Sequence, residues 1–195
     1  YNVLLVVSTL EGCVDSIIKP IFIKQSPVAA FNHTKLCIGD SVTFQDVSLI
    51  SFPYQNIYRE WTFNDSLIST DYQPAMLYNT SASYPVKLII MASNGCRDTI
   101  SQNIFVSNLP NSDFTFNSPC LDDLTSFNDI STCLNCLIDY RQWTLNGAII
   151  SSTDSASYIF NEASVYSVNL EVKNTAGCAS NIQKIITINP SPVAS

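Results

Sequence analysis

The chain is poor in charge and in long apolar runs, and each shortage excludes a class of partner. Charged residues make up 13% of the 195 residues, and the net charge is −7 at pH 7. This acidic balance gives no electrostatic attraction to nucleic acid or to anionic lipid, so neither is an expected partner. No apolar run is long enough for a membrane-spanning helix, and direct membrane insertion is not expected. The opening segment lacks the pattern of a signal peptide, so any export signal is expected to lie outside this sequence.

Groups that would carry out catalysis are also scarce. The chain has one histidine, His33, and five glycines, none of them in a phosphate-binding run. We find no nucleophile paired with a base, no paired carboxylates and no cluster of metal ligands in the sequence. The sequence therefore predicts a protein that is not an enzyme and that uses no cofactor or metal.

The sequence contains one segment that is repeated three times. The alternating segment Tyr-x-Val-x-Leu-x-Val (Ile in one copy), followed by Gly-Cys, begins at Tyr1, Tyr84 and Tyr166, which are 83 and 82 residues apart. A constant period of this size predicts a tandem array of small domains. We expect the last strands of a truncated repeat at 1–26, complete repeats at 27–109 and 110–191, and the start of a further repeat at 192–195.

The repeated segments predict strands, because a large apolar residue recurs at every second position along them. Short strands separated by Asn, Ser, Asp, Gly and Pro are typical of an all-β, two-sheet sandwich. Trp61 and Trp143 are predicted to form the core of the two complete repeats. Tyr84 and Tyr166 begin the penultimate strands, where we expect them to pack in the core and to fasten the preceding loop as tyrosine corners.

The order of these landmarks resembles the PKD repeat, an immunoglobulin-like module. The resemblance is carried by Pro-x-Ala-x-Phe at 27–31, Cys-x-Gly-Asp-x-Val-x-Phe at 37–44, Trp-x-Phe at 61–63 and the line from Tyr84 to Gly-Cys at 95–96. The cysteine-bearing form is similar to repeats of very large surface proteins that gliding bacteria export by the type IX pathway, including gliding adhesins. This resemblance implies an extracellular location at the cell surface, associated with the outer membrane through other parts of the chain.

One turn departs from the PKD pattern. The family's Gly-Asp-Gly after Trp-x-Phe is replaced by Asn-Asp-Ser at 64–66 and by Asn-Gly-Ala at 146–148. The calcium contact that some related modules make at this turn is therefore not carried over.

The resemblance to surface proteins of gliding bacteria also implies O-glycosylation at Asp-Ser/Thr-apolar triplets. The candidate acceptors in this chain are Ser16, Ser41, Ser66, Thr99 and Ser155.

Seven cysteines beside a single histidine indicate an oxidising, extracytoplasmic setting. The simplest pairing joins Cys37 to Cys96, and Cys120 to Cys178, inside each repeat. In a sandwich those positions lie at opposite ends of a strand, about 20 Å apart, whereas a disulfide needs Cα atoms within about 7 Å. Topology therefore favours a bond from Cys37 to Cys178 of the next repeat. That scheme leaves Cys13, Cys96 and Cys120 for partners outside this sequence, and both schemes remain open at this point.

The pair Cys133 and Cys136 belongs to an insertion found only in the second complete repeat. A Cys-x-x-Cys can be a redox pair or half of a zinc site, but the chain has no second such pair and no helix start beside it. A local disulfide that pins the loop is the predicted role.

Three functions compete at this stage. In the first, the repeats stack on their neighbours as a semi-rigid extracellular stalk of a cell-surface adhesin, with surface glycans or other cell-surface proteins as further partners. In the second, the chain is a carbohydrate-binding accessory module of a secreted hydrolase, with Phe52 and Tyr54 as stacking faces. In the third, residues 1–26 lend their strands to another molecule.

Overall fold

The chain is built from β-strands in a computed structural model that describes residues 1–117 and 119–191. The predicted start of a further repeat, 192–195, lies outside the described residues. Sixteen strands occur in the described part, and no helix there is long and apolar enough to cross a membrane. The strands are β1 Asn2–Ser8, β2 Val14–Pro20, β3 Phe31–His33, β4 Ser41–Asp46, β5 Asn56–Phe63, β6 Leu67–Ser69, β7 Ala75–Leu77, β8 Ser83–Ala92, β9 Arg97–Phe105, β10 Phe114–Phe116, β11 Leu124–Asp129, β12 Ile138–Leu145, β13 Ala148–Ser151, β14 Ser155–Ile159, β15 Val165–Asn174 and β16 Ala179–Thr187.

The chain divides into two compact units whose limits differ from those of the sequence repeats. The first unit comprises Tyr1–Asn32, Asp46–Tyr72 and Val86–Gln102. The second comprises His33–Gln45, Gln73–Pro85 and Asn103–Ser195, so it holds the whole second repeat together with segments of the first.

The second unit contains a complete β-sandwich. One sheet has the order β10-β11-β14 and the other the order β13-β12-β15-β16. Alternate residues of β15 point inward, so Val168, Leu170 and Val172 are buried while their neighbours are not. The core also contains Phe114, Phe127, Trp143, Leu145, Ala156, Phe160, Ile186 and Ile188. The predicted sandwich fold is confirmed.

A tight turn joins β12 to β13 and shows why the PKD Gly-Asp-Gly sequence is dispensable here. Leu145 pairs with Ala148, which leaves only Asn146 and Gly147 in the turn. Both have positive φ, at 46° and 87°. Two consecutive left-handed residues make a type I′ turn, which matches the twist of the strands, and Asn-Gly is the pair that adopts it most readily.

The first repeat has sheets of the same strand order, β3-β4-β7 and β6-β5-β8-β9. Within the first unit, Trp61 is fully buried on β5, opposite Leu88 on β8. The Phe31 ring meets the indole edge-on at 5.5 Å, and Phe63 stacks at 6.0 Å between ring centroids. Each tryptophan Nε1–H donates to a loop carbonyl ten residues on, at 3.1 Å for Trp61 and 2.9 Å for Trp143, so the polar atom of each buried indole is satisfied.

Tyr84 and Tyr166 are half-buried at the rim of the core. Tyr166 packs against the buried cluster of the second unit. Their hydroxyls must reach the preceding loop, which keeps each ring near the surface. The Tyr84 hydroxyl donates to Thr80 O at 3.0 Å, and the Tyr166 hydroxyl donates to Glu162 O at 3.2 Å. Both bonds span four residues, as in a tyrosine corner.

Strands β1 and β2 pair with each other and with no other strand among the described residues. Every residue of both strands is exposed. This includes the apolar run 3–7 of β1, whose side chains point to both faces of the hairpin. The three copies of the repeated segment have the same local structure. Each forms a hairpin with a Gly-Cys turn, and the hairpins are β1–β2, β8–β9 and β15–β16.

Candidate functional site

A disulfide joins Cys37, in the loop before β4, to Cys178, in the turn between β15 and β16. The two Cα atoms are 5.6 Å apart, and the residues are separated by 141 positions. Cys37 belongs to the first repeat and Cys178 to the second, and both lie in the second compact unit. This is the pairing between repeats that topology favoured; neither of the alternative pairings, to Cys96 or from Cys120, is present. Both cysteines are only 1% exposed, so the bond is shielded from solvent reductants.

The loop carrying Cys37 is fixed against the segment that follows β9. Cys37 forms a parallel bridge with Ser107. Ile38 N donates to Ser107 O at 3.0 Å, and Ser107 N donates to Leu36 O at 2.8 Å. The first sulfur is thus held on a hydrogen-bonded backbone beside residues 107–108, where the chain passes into the second repeat.

The turn carrying Cys178 owes its shape to a glycine and an asparagine. Asn174 N donates to Cys178 O at 3.0 Å, and Gly177 N donates to Asn174 O at 2.8 Å. Gly177 has φ of 79°, a conformation that strains any residue with a Cβ. The Asn174 Oδ1 atom accepts from Ala176 N and Cys178 N, at 3.0 and 2.9 Å, which fixes the direction of the second sulfur.

The same asparagine binds across to the segment after β9. Asn174 Nδ2 donates to Ser107 Oγ at 2.9 Å and to Asn108 O at 2.8 Å. Asn174 is only 2% exposed, and a buried amide that lost these partners would pay its full desolvation cost. The disulfide and this amide form the connection between the repeats, which we call the Cys37–Cys178 joint. The sequence analysis missed Asn174; its only signal was an asparagine at the end of an alternating strand, directly before a Gly-Cys turn.

The inserted Cys-x-x-Cys loop also reaches the joint. Cys133 and Cys136 form a disulfide, with Cα atoms 5.3 Å apart. Asn108 Nδ2 donates to Leu134 O at 2.8 Å, and Cys136 Sγ lies 3.8 Å from Asn108 O. The pinned loop therefore contacts the residue at which the chain enters the second repeat, a role that sequence could not reveal.

A related arrangement without a disulfide occurs in the first unit. Asn94, in the turn between β8 and β9, donates its Nδ2 to Gln25 O at 3.0 Å. Lys24 Nζ donates back to Asn94 O at 3.1 Å. Gln25 lies 83 residues before Asn108, so the same backbone carbonyl receives a turn asparagine in both places. Cys96, at the end of this turn, is half-buried and free, whereas Cys13 is free and exposed.

A salt bridge between an aspartate and an arginine recurs in both complete repeats. Asp46 binds Arg59 in the first, with a closest contact of 2.6 Å, and Asp129 binds Arg141 in the second at 2.6 Å. Burial of Asp46 disfavours its charged form, but hydrogen bonds from Ser48 and the Arg59 guanidinium outweigh burial and lower the pKa of this carboxyl. These carboxylates are fully engaged in holding strand ends, and among the described residues no group of three or more potential metal ligands occurs.

The aromatic loop predicted to contact a ligand is only partly available. Phe52 is 95% exposed, whereas Tyr54 is half-buried and its backbone N–H is held by Ser51 O. A more concave feature of the same unit is an open cleft of about 310 Å³, lined by Asn56, Ile57, Tyr58, Arg59 and Thr70.

The cleft presents a tyrosine and a planar cation that sequence reasoning did not single out. The Arg59 guanidinium carbon lies 4.8 Å from the Tyr72 ring centroid, and Tyr72 is 57% exposed. Tyr58 donates its hydroxyl to Glu60, a hydrogen bond that raises the pKa of Tyr58. Ile57 and Tyr58 are both exposed at the start of β5, and the available sequence signal was an aromatic residue directly before an arginine.

All five candidate glycosylation acceptors, Ser16, Ser41, Ser66, Thr99 and Ser155, are exposed. Their hydroxyls are therefore accessible to an enzyme, and modification stays a prediction.

No protein-family model matches this chain, and no curated protein matches it. Solved structures do match. The fibronectin(III)-like modules of Clostridium thermocellum CbhA align with a TM-score of 0.54 and 12% identity, over 83% of this chain and 95% of that chain. At this identity the likeness shows the fold alone. The chain has an immunoglobulin-like β-sandwich fold.

Two PKD domains are also among the similar structures. The PKD1 domain of Vibrio anguillarum Epp is 20% identical, over 44% of this chain and 99% of that chain, with a TM-score of 0.40. The PKD1 domain of the Vibrio cholerae metalloprotease PrtV is 29% identical, over 42% of this chain and 98% of that chain, with a TM-score of 0.38. The narrower resemblance to gliding adhesins stays a prediction.

Proposed function

We propose that this chain is a non-catalytic, load-bearing segment of an extracellular stalk in a cell-surface adhesin. The observation that carries the proposal is the Cys37–Cys178 disulfide, which closes 141 residues of chain between two repeats. Disulfides persist outside the reducing cytoplasm, which supports an extracellular location. The proposed partners are the neighbouring repeats of the same chain, and surface glycans or proteins at the tip of the stalk.

The bridge determines which part of the chain can be stretched. Tension applied at the two ends passes along the chain to Cys37, crosses the disulfide and leaves from Cys178. The residues between them cannot be drawn out while the bond is intact, even if their strands separate. At about 3.3 to 3.6 Å per extended residue, the 141-residue separation withholds about 500 Å of extension.

Single-molecule stretching from both chain ends tests this function. We expect the fully extended length to increase by about 500 Å when a reductant is added, because the separation of 141 residues becomes available. A Cys37→Ala/Cys178→Ala variant should give the long extension with or without reductant. A Cys133→Ala/Cys136→Ala variant is the matched control, since its bridge spans only 3 positions and should leave the reductant-dependent increment in place. An oxidised chain that extends as far as the reduced one would contradict the proposal.

A carbohydrate-binding function is the second candidate, and the cleft beside β5 is what favours it. Sugars stack on exposed aromatic faces and are oriented by planar hydrogen-bonding groups, and the cleft offers Tyr58 and Arg59, with Tyr72 and Phe52 nearby in the chain. Titration with soluble polysaccharides tests it. Binding that is lost in Tyr58→Ala and Tyr72→Ala but kept in Tyr140→Ala, the equivalent position of the second repeat, would support this function. Equal polysaccharide binding by all three variants would exclude the cleft as the binding site.

A further inference from the structure

The half of the joint that carries Cys37 has a structural copy in the second repeat, built around Cys120. Cys120 forms a parallel bridge with Asn189, as Cys37 does with Ser107. Leu121 N donates to Asn189 O at 2.9 Å, and Asn189 N donates to Pro119 O at 3.2 Å. Both hydrogen bonds repeat those that Ile38 and Leu36 make with Ser107 in the Cys37–Cys178 joint, which is called occupied because its cysteine is already bonded.

The turn after each cysteine is also the same. Asp40 N donates to Cys37 O at 3.3 Å, and Asp123 N donates to Cys120 O at 3.3 Å. The residue between them in each turn, Gly39 or Asp122, has a positive φ of 79° or 63°. Replacement of the glycine has therefore left the backbone that presents the sulfur unchanged.

The two copies differ in what covers them. Cys37 and Ser107 are 1% and 4% exposed. At the copy, Cys120 is half-buried with a free thiol, and Asn189 is exposed. In the occupied joint the Asn174–Cys178 turn bonds to Cys37, to Ser107 and to the carbonyl of residue 108; at the copy no described residue takes that place.

We propose that the surface formed by Cys120, Leu121, Asn189 and Pro190, here called the Cys120 platform, binds the Gly-Cys turn of another repeat of this type and forms a disulfide with its cysteine. The inference rests on the proposed function, and it adds a docking surface and the chemistry of its partner. The partner is a β-hairpin whose turn reads Asn-x-x-Gly-Cys.

The platform keeps the acceptor that such a turn needs. In the occupied joint, Asn174 Nδ2 binds the backbone carbonyl of Asn108 and not its side chain. Pro190 stands at the matching position, and although proline lacks an N–H it retains that carbonyl. Asn189, in place of Ser107, offers its own side-chain oxygen as the second acceptor.

The bond forms by thiol–disulfide exchange. The Cys120 thiolate attacks a small-molecule disulfide such as oxidised glutathione and releases one thiol. The partner cysteine's thiolate then attacks the mixed disulfide and releases the second thiol. Two protein thiols are oxidised to one disulfide, and one glutathione disulfide is reduced to two thiols.

The test uses residues 1–191 followed directly by a second copy of 110–191, which preserves the spacing between Ser191 and the next proline. The added copy carries Cys120→Ser, so an alkylated Cys120 can come only from the platform. It also carries Asn181→Gln at an exposed position, which gives its Cys178 peptide a distinct mass. After refolding in a glutathione redox buffer, free thiols are alkylated and the disulfides are mapped without reduction. We expect the Cys178 of the added copy to be bonded to Cys120, and alkylation of Cys120 to be lost. When Cys120 of the platform is itself replaced by serine, the Cys178 of the added copy should instead be alkylated.

The Cys37–Cys178 bond in the same molecule separates two kinds of failure. If that bond forms while Cys120 is still alkylated, or is bonded to any cysteine other than the Cys178 of the added copy, the docking inference is overturned and the proposed function stands. If the Cys37–Cys178 bond itself fails to form, the proposed function falls and the docking inference falls with it.

Discussion

Removal of the Cys37–Cys178 bond should destabilise the protein far more than removal of the other disulfide. A cross-link lowers the entropy of the unfolded chain in proportion to the logarithm of the loop that it closes. For the separation of 141 residues the loop term is about 5 kcal/mol at 25 °C. For Cys133–Cys136, with a separation of 3, it is about 1.5 to 2 kcal/mol.

The two double variants, Cys37→Ala/Cys178→Ala and Cys133→Ala/Cys136→Ala, are compared by guanidinium denaturation without reductant. Alanine is used because Cys37 and Cys178 are buried and alanine adds no polar atom there. We expect the free energy of unfolding of the second unit to fall by about 3 kcal/mol more in the first variant than in the second. With reductant present, which cleaves both bonds, wild type should lose the sum of the two contributions and fall below the first variant. Equal losses in the two variants would refute the argument from loop length.

Three further outcomes follow from single side chains. Asn174→Ala should lower the free energy of unfolding by about 3 kcal/mol, and Asn94→Ala by about 1, because only the first amide is fully buried with four hydrogen bonds; denaturant melts check this. The pKa of Asp46 is lowered because its hydrogen bonds with Ser48 and Arg59 outweigh burial. These interactions therefore contribute stability above the unfolded pKa of about 3.9, and the contribution is lost as pH falls through the folded pKa. Acid titrations of Asp46→Asn should therefore show a smaller loss of stability below about pH 4 than wild type. Trp143→Ala should cost about 3 to 5 kcal/mol by thermal or chemical melting, since the indole is fully buried.

The strands and the core were readable from the sequence because burial on one face of a sheet imposes a period of two. Along β8 and β15 every second residue is buried from Val86 and Val168 onward, and two of the three alternating runs fall on these strands. The run from Tyr1 falls on β1, where every residue is exposed. Trp61 and Trp143 were identifiable because a tryptophan recurs at the same place in both complete repeats, on a predicted strand, and both are fully buried.

The chemistry of the joint was only half predictable. Distance along a strand argued against pairing within a repeat and favoured Cys178 as the partner of Cys37, but it left both schemes open. The contribution of Asn174 could not be foreseen, because its two acceptors lie 66 and 67 residues away and are defined by tertiary structure alone. The cleft beside β5 could not be predicted for a similar reason. Arg59 and Tyr72 are 13 residues apart and come into contact only when the chain is folded.

The sequence period and the compact unit measure different properties of the chain. The period marks the segment that is copied, and it predicts a boundary between residues 109 and 110. The second compact unit instead includes three segments of the first repeat, His33–Gln45, Gln73–Pro85 and 103–109, together with the whole second repeat. The two hydrogen bonds that Asn174 Nδ2 donates end on residues 107 and 108, and the disulfide of Cys178 ends on Cys37. A fragment cut at the sequence boundary would leave a buried amide without its acceptors and a buried thiol without its partner. The cohesive unit of this protein is therefore one repeat together with the part of the preceding repeat to which it is bonded.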